Sequence, residues 1–207
     1  MERWNDERLS RQIDFLAEAD KLKSVLRRTL LMDGSRNENT AEHSWHISLM
    51  ALLLHEHAPE PKPDLSHVIK LLLVHDLVEI DAGDTFAYDA EGYSDKEERE
   101  QAAARRIFGL LPDDQADGIM ALWREFEAME TPEAVFAAAV DRLQPLLHNY
   151  RTEGFSWKRN GIVRAQVRHR MLPIRQASPK LAAFVEELLQ RAVDRGYLAD
   201  EPPTKEE

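Results

Sequence analysis

The chain has 207 residues, contains no cysteine and carries a formal net charge of -11 at pH 7. Hydrophobic residues make up 43% and charged residues 31% of it, a balance typical of a folded protein with one substantial core. The lack of cysteine excludes disulfides, zinc–thiolate sites and thiol nucleophiles. The negative charge argues against binding of polymeric nucleic acid, which needs a broad basic surface, but a single nucleotide needs only a local cluster of cations.

The lengths of the apolar segments predict the location of the protein in the cell. The segment MERWNDERLSRQIDF has no apolar core of signal-peptide length, and no stretch approaches the roughly 20 apolar residues that cross a bilayer. We therefore expect a cytoplasmic protein without a membrane partner. We also expect one domain over residues 1–197 and a polar, flexible tail over residues 198–207.

The first predicted elements are two helices. Apolar residues at spacings of three and four predict an amphipathic helix over residues 6 to about 31. The segment MDGSRNENT that follows is turn-like, and Asn39 or Thr40 at its end can cap a second helix. His43 would then lie in the first turn of this helix, where Glu42 is placed for a capping box.

The remaining predicted elements are also helices. Asp64 or Ser66 can begin a third helix, whose run VIKLLLVHDLVEI is apolar on most sides, and Gly83 is a natural end for it. Further helices are predicted at about 94 to 110, 113 to 129, 131 to 150, 159 to 172 and 178 to 196. No segment shows a convincing alternating strand pattern, so the sequence predicts an all-α fold.

The third predicted helix carries His75 and Asp76 inside the apolar run LLLVHDLVEI. Ionisable groups are expensive to bury unless they have a partner. Glu79 lies four residues after His75 and three after Asp76, so all three side chains can point to one side of the helix. This pattern indicates a site, although buried groups satisfied by the backbone or by an arginine would produce it as well.

Two further segments present ionisable groups in apolar surroundings. Asp141 lies in VFAAAVDRLQPLL, where a buried carboxylate would need a cation, whereas an exposed aspartate on a helix of small residues is the alternative. In the second helix, His46 lies three residues after His43 on the same face. Either histidine could be a ligand, and either could be a core residue.

The order of these residues, a histidine, then His-Asp, then a distant aspartate, resembles the HD superfamily of metal-dependent phosphohydrolases. The segments RRTLLMDGSRNENTAEHSWH, VHDLVEIDAGDT and DRLQPLLHNY look like the HD-domain 5'-deoxynucleotidase family over roughly residues 10 to 170. The resemblance implies one compact HD-domain helical bundle and a homodimer. It implies metal ligands at His43, His75, Asp76 and Asp141, catalytic carboxylates at Glu79 and Asp84, and a phosphate contact at Arg28.

One position departs from the well-known bacterial members of this family. They carry a tryptophan directly after the phosphate-contacting arginine, where it is associated with selection of deoxyribose. Here the position is Thr29, which makes the chain similar to the eukaryote-like branch. The resemblance therefore leaves the sugar and the base open.

The chemistry of these side chains predicts the kind of metal and the roles around it. Two imidazoles and two carboxylates leave positions open on a metal that prefers five or six ligands, which favours Mn, Co, Fe or Mg over tetrahedral Zn. Glu79 is placed to orient or deprotonate a water, Asp84 could assist it, and these two roles could be exchanged. Arg28 offers a planar, charged fork to a terminal phosphate, and Arg36 either reinforces it or forms a loop salt bridge.

These features predict an enzyme that converts a (deoxy)nucleoside 5'-monophosphate to nucleoside and phosphate. The alternative substrates are another small phosphoester or a signalling nucleotide. An HD-scaffold oxygenase would need further histidines between Asp76 and Asp141, and the sequence has none there. A non-catalytic nucleotide-sensing module would retain the metal without turnover, but the presence of Glu79, Asp84 and Arg28 favours the enzyme.

Overall fold

A computed structural model describes residues 5–89 and 91–201 of the chain. Helices dominate these residues, which confirms the all-α prediction. In chain order the elements are α1 (Glu7–Ala19), β1 (Leu26–Leu30), β2 (Asn37–Asn39), α2 (Thr40–Leu54), α3 (Leu65–Val74), α4 (Glu79–Ala82), α5 (Lys96–Phe108), α6 (Asp113–Ala128), α7 (Pro132–Arg151), α8 (Phe155–Arg159), α9 (Arg164–Arg170), α10 (Leu172–Ala177) and α11 (Pro179–Asp194). Among the described helices, none is long and apolar enough to cross a membrane.

The prediction of one helix over residues 6 to 31 is wrong in its second half. After α1 and a 3-10 segment, β1 pairs antiparallel with β2 to form a short ribbon. Within β1, Arg27 and Thr29 are more buried than Leu26 and Arg28, so burial alternates along the strand. Because the buried positions are a cation and a hydroxyl, this alternation carries no apolar signal in the sequence.

The starts of α2 and α3 confirm predicted caps. The Asn39 side chain accepts a hydrogen bond from the Glu42 backbone N–H, and the Glu42 carboxylate accepts one from the Asn39 backbone N–H. Asp64 caps α3 by accepting from the Ser66 backbone N–H. Such reciprocal capping satisfies backbone donors that a helix start leaves free. It also holds His43, one turn into α2, in a fixed place.

The third predicted helix does not run unbroken. It ends at Val74, and His75–Val78 form a 3-10 turn, which we call the HD turn. Helix α4 follows directly after this turn. Gly83 then ends α4 with a φ of 74°, as predicted. A 3-10 stretch inside a helical run often marks a functional position, because it changes where the side chains point.

The two parts of the apolar core meet at the HD turn. The larger part surrounds α7, which contacts α2, α3, α6, α10 and α11 and buries Phe136, Val140 and Leu143. The smaller part joins Val74 and Leu77 to α5 and α6. The ionisable residues of the HD turn therefore lie between two packed regions, where their side chains have little freedom to move.

The C-terminal region differs from prediction at two points. The helix expected over residues 159 to 172 is interrupted between α8 and α9, where Gly161 has a φ of 62°. Leu198 is 3% exposed, and the Arg164 backbone N–H donates to the Ala199 carbonyl. The packed region thus passes the predicted domain boundary at residue 197, and residues 202–207 of the predicted tail lie outside the described residues.

Candidate metal centre

Four ionisable side chains from three elements meet in the interior. His43 comes from α2, His75 and Asp76 from the HD turn, and Asp141 from the middle of α7. His43 Nε2 lies 3.0 Å from Asp141 Oδ1, and His75 Nε2 lies 3.0 Å from Asp76 Oδ1 and 3.8 Å from Asp141 Oδ1. The structure therefore brings together all four residues that the resemblance implies as ligands.

Hydrogen bonds behind the two imidazoles determine which ring nitrogen faces this cluster. His75 Nδ1 lies 2.9 Å from the Leu72 carbonyl oxygen, so Nδ1 carries the proton and donates it. His43 Nδ1 lies 3.2 Å from Gln144 Oε1, which accepts in the same way. The buried His75 Nε2 forms no hydrogen bond within the described residues. Two imidazole Nε2 atoms facing two carboxylates fit a divalent cation, which would take the place of any proton between them.

Burial and mutual pairing set the ionisation of the cluster. Burial lowers the pKa of His43, which favours its neutral form. Burial also acts to lower the pKa of His75, but the Asp76 and Asp141 carboxylates outweigh it and raise this pKa well above its usual value. Against its own burial, the neighbouring imidazoles of His43 and His75 hold the pKa of Asp141 well below the usual range. Both buried carboxylates are thus charged and suited to a cation.

Arg27 reaches the cluster from β1, and the sequence analysis did not identify it. Its Nη1 lies 3.2 Å from Asp76 Oδ2 and 3.8 Å from Asp84 Oδ1, and the Arg27 side chain is 13% exposed. Burial acts to lower the pKa of Arg27, but the Asp76 and Asp84 carboxylates outweigh it. The guanidinium therefore stays charged and neutralises part of the acidic centre.

The two predicted catalytic carboxylates lie beside the ligands. Glu79 is 8% exposed, and its Oε2 accepts a hydrogen bond of 2.9 Å from Thr40 Oγ1. Burial, reinforced by the charge of Asp76, raises the pKa of Glu79 well above its usual value. Burial likewise raises the pKa of Asp84. Both groups therefore have the raised proton affinity that an acid–base group needs.

The two predicted substrate arginines have different surroundings. Arg28 is exposed on β1 and lines the cavity beside the cluster. Arg36 does not line that cavity; its Nη1 lies 2.8 Å from Glu42 Oε2, and its side chain is 53% exposed. The structure thus shows Arg36 in a loop salt bridge with Glu42, which is one of its two predicted roles. A phosphate contact by Arg36 stays a prediction, and it would require the side chain to leave Glu42.

The cavity beside the cluster has a volume of about 280 Å³ and is open to solvent. Its wall includes His75, Asp76 and Asp141 of the cluster together with cations and aromatic rings, among them Arg28, Lys96, Arg142, Arg170, Phe86, Tyr88 and Trp157. Cations bind phosphate oxygens, and aromatic rings stack on flat organic groups. The cavity therefore has the chemistry to hold a phosphorylated small molecule against the predicted metal ligands.

His43, rather than His46, is the histidine of α2 that joins the cluster. His46 is half-buried and faces His148, with ring centroids 5.6 Å apart. Thr40 and Gln144 are also partners of the site, although neither was predicted from the sequence as one. Gln144 follows Asp141 by three residues in α7, so helical spacing was a signal that could have identified it.

Comparisons with known proteins agree with this geometry. The family model of the HD domain matches residues 19–182. The "5'-deoxynucleotidase HDDC2" of Danio rerio is 31% identical over 121 residues, which is 58% of each chain. The human protein of the same name is 28% identical over 136 residues, 65% of each chain. The chain thus spans between about half and two thirds of the length of these curated relatives.

A solved structure is more similar than these relatives. It is the crystal structure of a "Predicted metal-dependent phosphohydrolase" from Magnetospirillum magnetotacticum MS-1, which is 54% identical to this chain. The two structures superpose with a TM-score of 0.90 over 96% of this chain and 100% of the other. Since the family model covers well over half of the residues, the chain belongs to the HD-domain family.

Proposed function

We propose that this protein is a metal-dependent phosphomonoesterase that converts a (deoxy)nucleoside 5'-monophosphate to nucleoside and phosphate. The observation that carries the proposal is the meeting of His43, His75, Asp76 and Asp141, the last three of which line a cavity that also exposes cations and acid–base groups. The names of the curated relatives support a 5'-deoxynucleotide as the substrate.

The four ligands would hold a divalent cation, and their histidine and carboxylate atoms suit Mn, Co, Mg or Fe better than Zn. When bound, such a cation supplies positive charge to a phosphate oxygen and lowers the pKa of water. In the hydrolysis, the water oxygen bonds to phosphorus and the bond from phosphorus to the 5' oxygen breaks. Glu79 and Asp84 are the two carboxyls that can take the proton from the water and return it to the 5' oxygen.

Other residues of the cavity would bind the rest of the substrate. Arg28 is placed to donate to the phosphate, and its charge-assisted hydrogen bonds would fix the phosphate relative to the ligands. Thr29 lines the same cavity, and its buried hydroxyl has no hydrogen-bond partner within the described residues. A buried hydroxyl without a partner favours a polar contact at this wall, so we propose that Thr29 contributes to the choice of sugar.

Phosphate release from a panel of ribo- and deoxyribonucleoside monophosphates tests the proposal. The protein is stripped of metal, and Mn, Co, Mg, Fe or Zn is restored separately. We expect release only with metal, and we expect Asp76→Ala and Glu79→Gln each to lower it by at least about 100-fold. Release from other small phosphoesters but not from nucleotides would replace the substrate class. Nucleotide binding without turnover in the wild type would support the sensing module instead.

Three broader expectations belong to the same proposal. We propose that the protein acts in the cytoplasm, that it forms a homodimer and that its HD phosphohydrolase domain spans residues 1–197. Sedimentation of the full chain tests the dimer. Comparison of chains that end at residues 197 and 199 tests the domain boundary, because only the longer one retains the packed Leu198 and Ala199. A monomeric active enzyme would contradict the dimer.

A further inference from the structure

Behind His43, a buried polar cluster joins the β-ribbon to α7. Its members are Glu38, Gln144 and His148, which are 1%, 0% and 2% exposed, with the half-buried His46 at its edge. None of them lines the cavity that the described residues form, and none has a role in the proposed hydrolysis. Burying three polar side chains together is costly unless they satisfy one another by hydrogen bonds.

Gln144 lies at the centre of this cluster. Its Nε2 lies 2.6 Å from Glu38 Oε1 and 2.9 Å from His148 Nε2. His148 Nδ1 donates to the Leu30 carbonyl oxygen at 2.8 Å, so His148 Nε2 is unprotonated and accepts. The two amide hydrogens are therefore used by two acceptors. The amide cannot be reversed without losing both bonds, so Oε1 must face His43.

An amide oxygen held in this way is an acceptor for His43 and never a donor. It favours the proton of the neutral imidazole on Nδ1, so that Nε2, which lies 3.0 Å from Asp141 Oδ1, would present its lone pair to a cation bound by both groups. Without this acceptor, the ring would spend part of its time with the proton on Nε2, where it cannot bind a cation. We propose that Gln144 is a positioning residue of the metal centre, held by Glu38 and His148, that keeps His43 in its cation-binding tautomer and orientation.

The β-ribbon extends this arrangement to a second ligand. Glu38 Oε2 lies 3.7 Å from Arg27 Nε, and Arg27 contacts Asp76. One buried carboxylate on β2 thus contacts the partners of two ligands, His43 through Gln144 and Asp76 through Arg27. The inference rests on the metal-binding part of the proposed function, not on the nature of the substrate.

A different reading of the cluster is a second metal site. Glu38, His46 and His148 offer ligand atoms that are close enough to one another to share a cation. The Gln144 amide nitrogen occupies the space between them, at 2.6 Å from Glu38 Oε1 and 3.4 Å from His46 Nδ1. A second cation would have to displace this amide and would lie close to the Arg27 guanidinium. The contacts therefore favour the positioning role.

Gln144→Met tests the inference, because methionine fills a similar volume but neither donates nor accepts strongly. The affinity of the metal-stripped protein for Mn or Co is measured by competition with a coloured chelator, and the His43 tautomer is measured by ¹⁵N NMR without metal. We expect metal binding to weaken by about 10- to 100-fold and the proton to appear partly on Nε2. Glu38→Gln retains an acceptor for the amide and should stay within about threefold of the wild type.

The outcomes separate the possible roles. If Gln144→Met lowers only the stability of the metal-free protein and leaves the affinity and the tautomer unchanged, the residue is merely structural and the inference is overturned. If His46→Asn weakens binding as much as Gln144→Met, the cluster is a metal site and the inference is also overturned. Should Gln144→Met not fold, Gln144→Asn withdraws the amide from His43 and is read in the same way. Because these measurements use no nucleotide, they remain valid if phosphate release fails.

Discussion

Arg27 Nη1 lies 3.2 Å from Asp76 Oδ2, so a buried guanidinium contacts one of the four predicted metal ligands. The same group lies 3.8 Å from Asp84 Oδ1, and both carboxylates are less than 15% exposed. Coulomb attraction at these distances is strong where water is largely excluded. Arg27 therefore neutralises part of the negative charge of Asp76 and Asp84. A bound divalent cation would neutralise more of it.

Arg27→Met should destabilise the metal-free protein more than the metal-loaded protein. Removal of one partner from a buried ion pair costs about 3–5 kcal/mol, and a bound cation would replace part of the lost positive charge. Urea unfolding with a chelator and with saturating Mn measures both values. Arg27→Lys is the matched control, since it retains the charge and should lose less. Equal losses in the two metal states would contradict the compensating role.

The pH dependence of stability should reveal opposing contributions from Glu38 and His148. Burial raises the pKa of Glu38 from 4.5 to about 7, so between these values the folded protein binds the extra proton and stability rises as pH falls. Burial lowers the pKa of His148 from 6.5 to about 4, so between these values the unfolded chain binds the extra proton and stability falls as pH falls. In the wild type the two contributions largely cancel.

Glu38→Gln removes one of these contributions and should expose the other. Below pH 6.5, its free energy of unfolding should fall more steeply with decreasing pH than that of the wild type, by up to about 1.4 kcal/mol per pH unit. Urea unfolding of the metal-free proteins between pH 7.5 and 4.5, roughly the range of the two shifts, measures the slopes. Identical slopes in the two proteins would show that Glu38 is ionised in the folded state.

Arg28 and Arg36 form a natural pair for mutation, because they lie on the same hairpin but only Arg28 lines the cavity. Arg28→Gln should lower kcat/KM by about 10- to 100-fold, as expected for loss of a charge-assisted bond to phosphate. Arg36→Gln breaks an exposed pair with Glu42 and should change stability by less than about 1 kcal/mol. Steady-state kinetics on the preferred nucleotide compares them. A larger effect at Arg36 would restore its predicted phosphate role.

Gly154 is a position where only glycine fits. Its φ is +74°, and a Cβ there would lie 1.8 Å from the Tyr197 carbonyl oxygen. Gly154→Ala should therefore cost about 3 kcal/mol or more, through both backbone strain and a steric clash. Gly161→Ala is the control, since Gly161 has a φ of +62° but nothing within 4 Å of its Cβ position. It should cost about 1–2 kcal/mol, and equal losses in urea unfolding would contradict the clash.

Local signals in the sequence were sufficient for much of this protein. The capping box of Asn39 and Glu42 and the helix end at Gly83 depend on residues within four positions of one another. Ionisable residues such as His75 and Asp141 stand out in apolar helices, which made them candidate ligands. Their pairing across three elements, however, was implied only by the resemblance to a family.

The tertiary structure alone decided which polar residues support the site. The β-ribbon was not predicted because the more buried positions of β1, Arg27 and Thr29, are polar, so the strand shows no alternation of apolar residues. Glu38 and Gln144 are 106 positions apart in the chain, yet their side chains lie 2.6 Å apart. Hydrogen bonds between such distant residues leave no periodic signal in the sequence, because they depend on how β2 packs against α7 rather than on local backbone preferences.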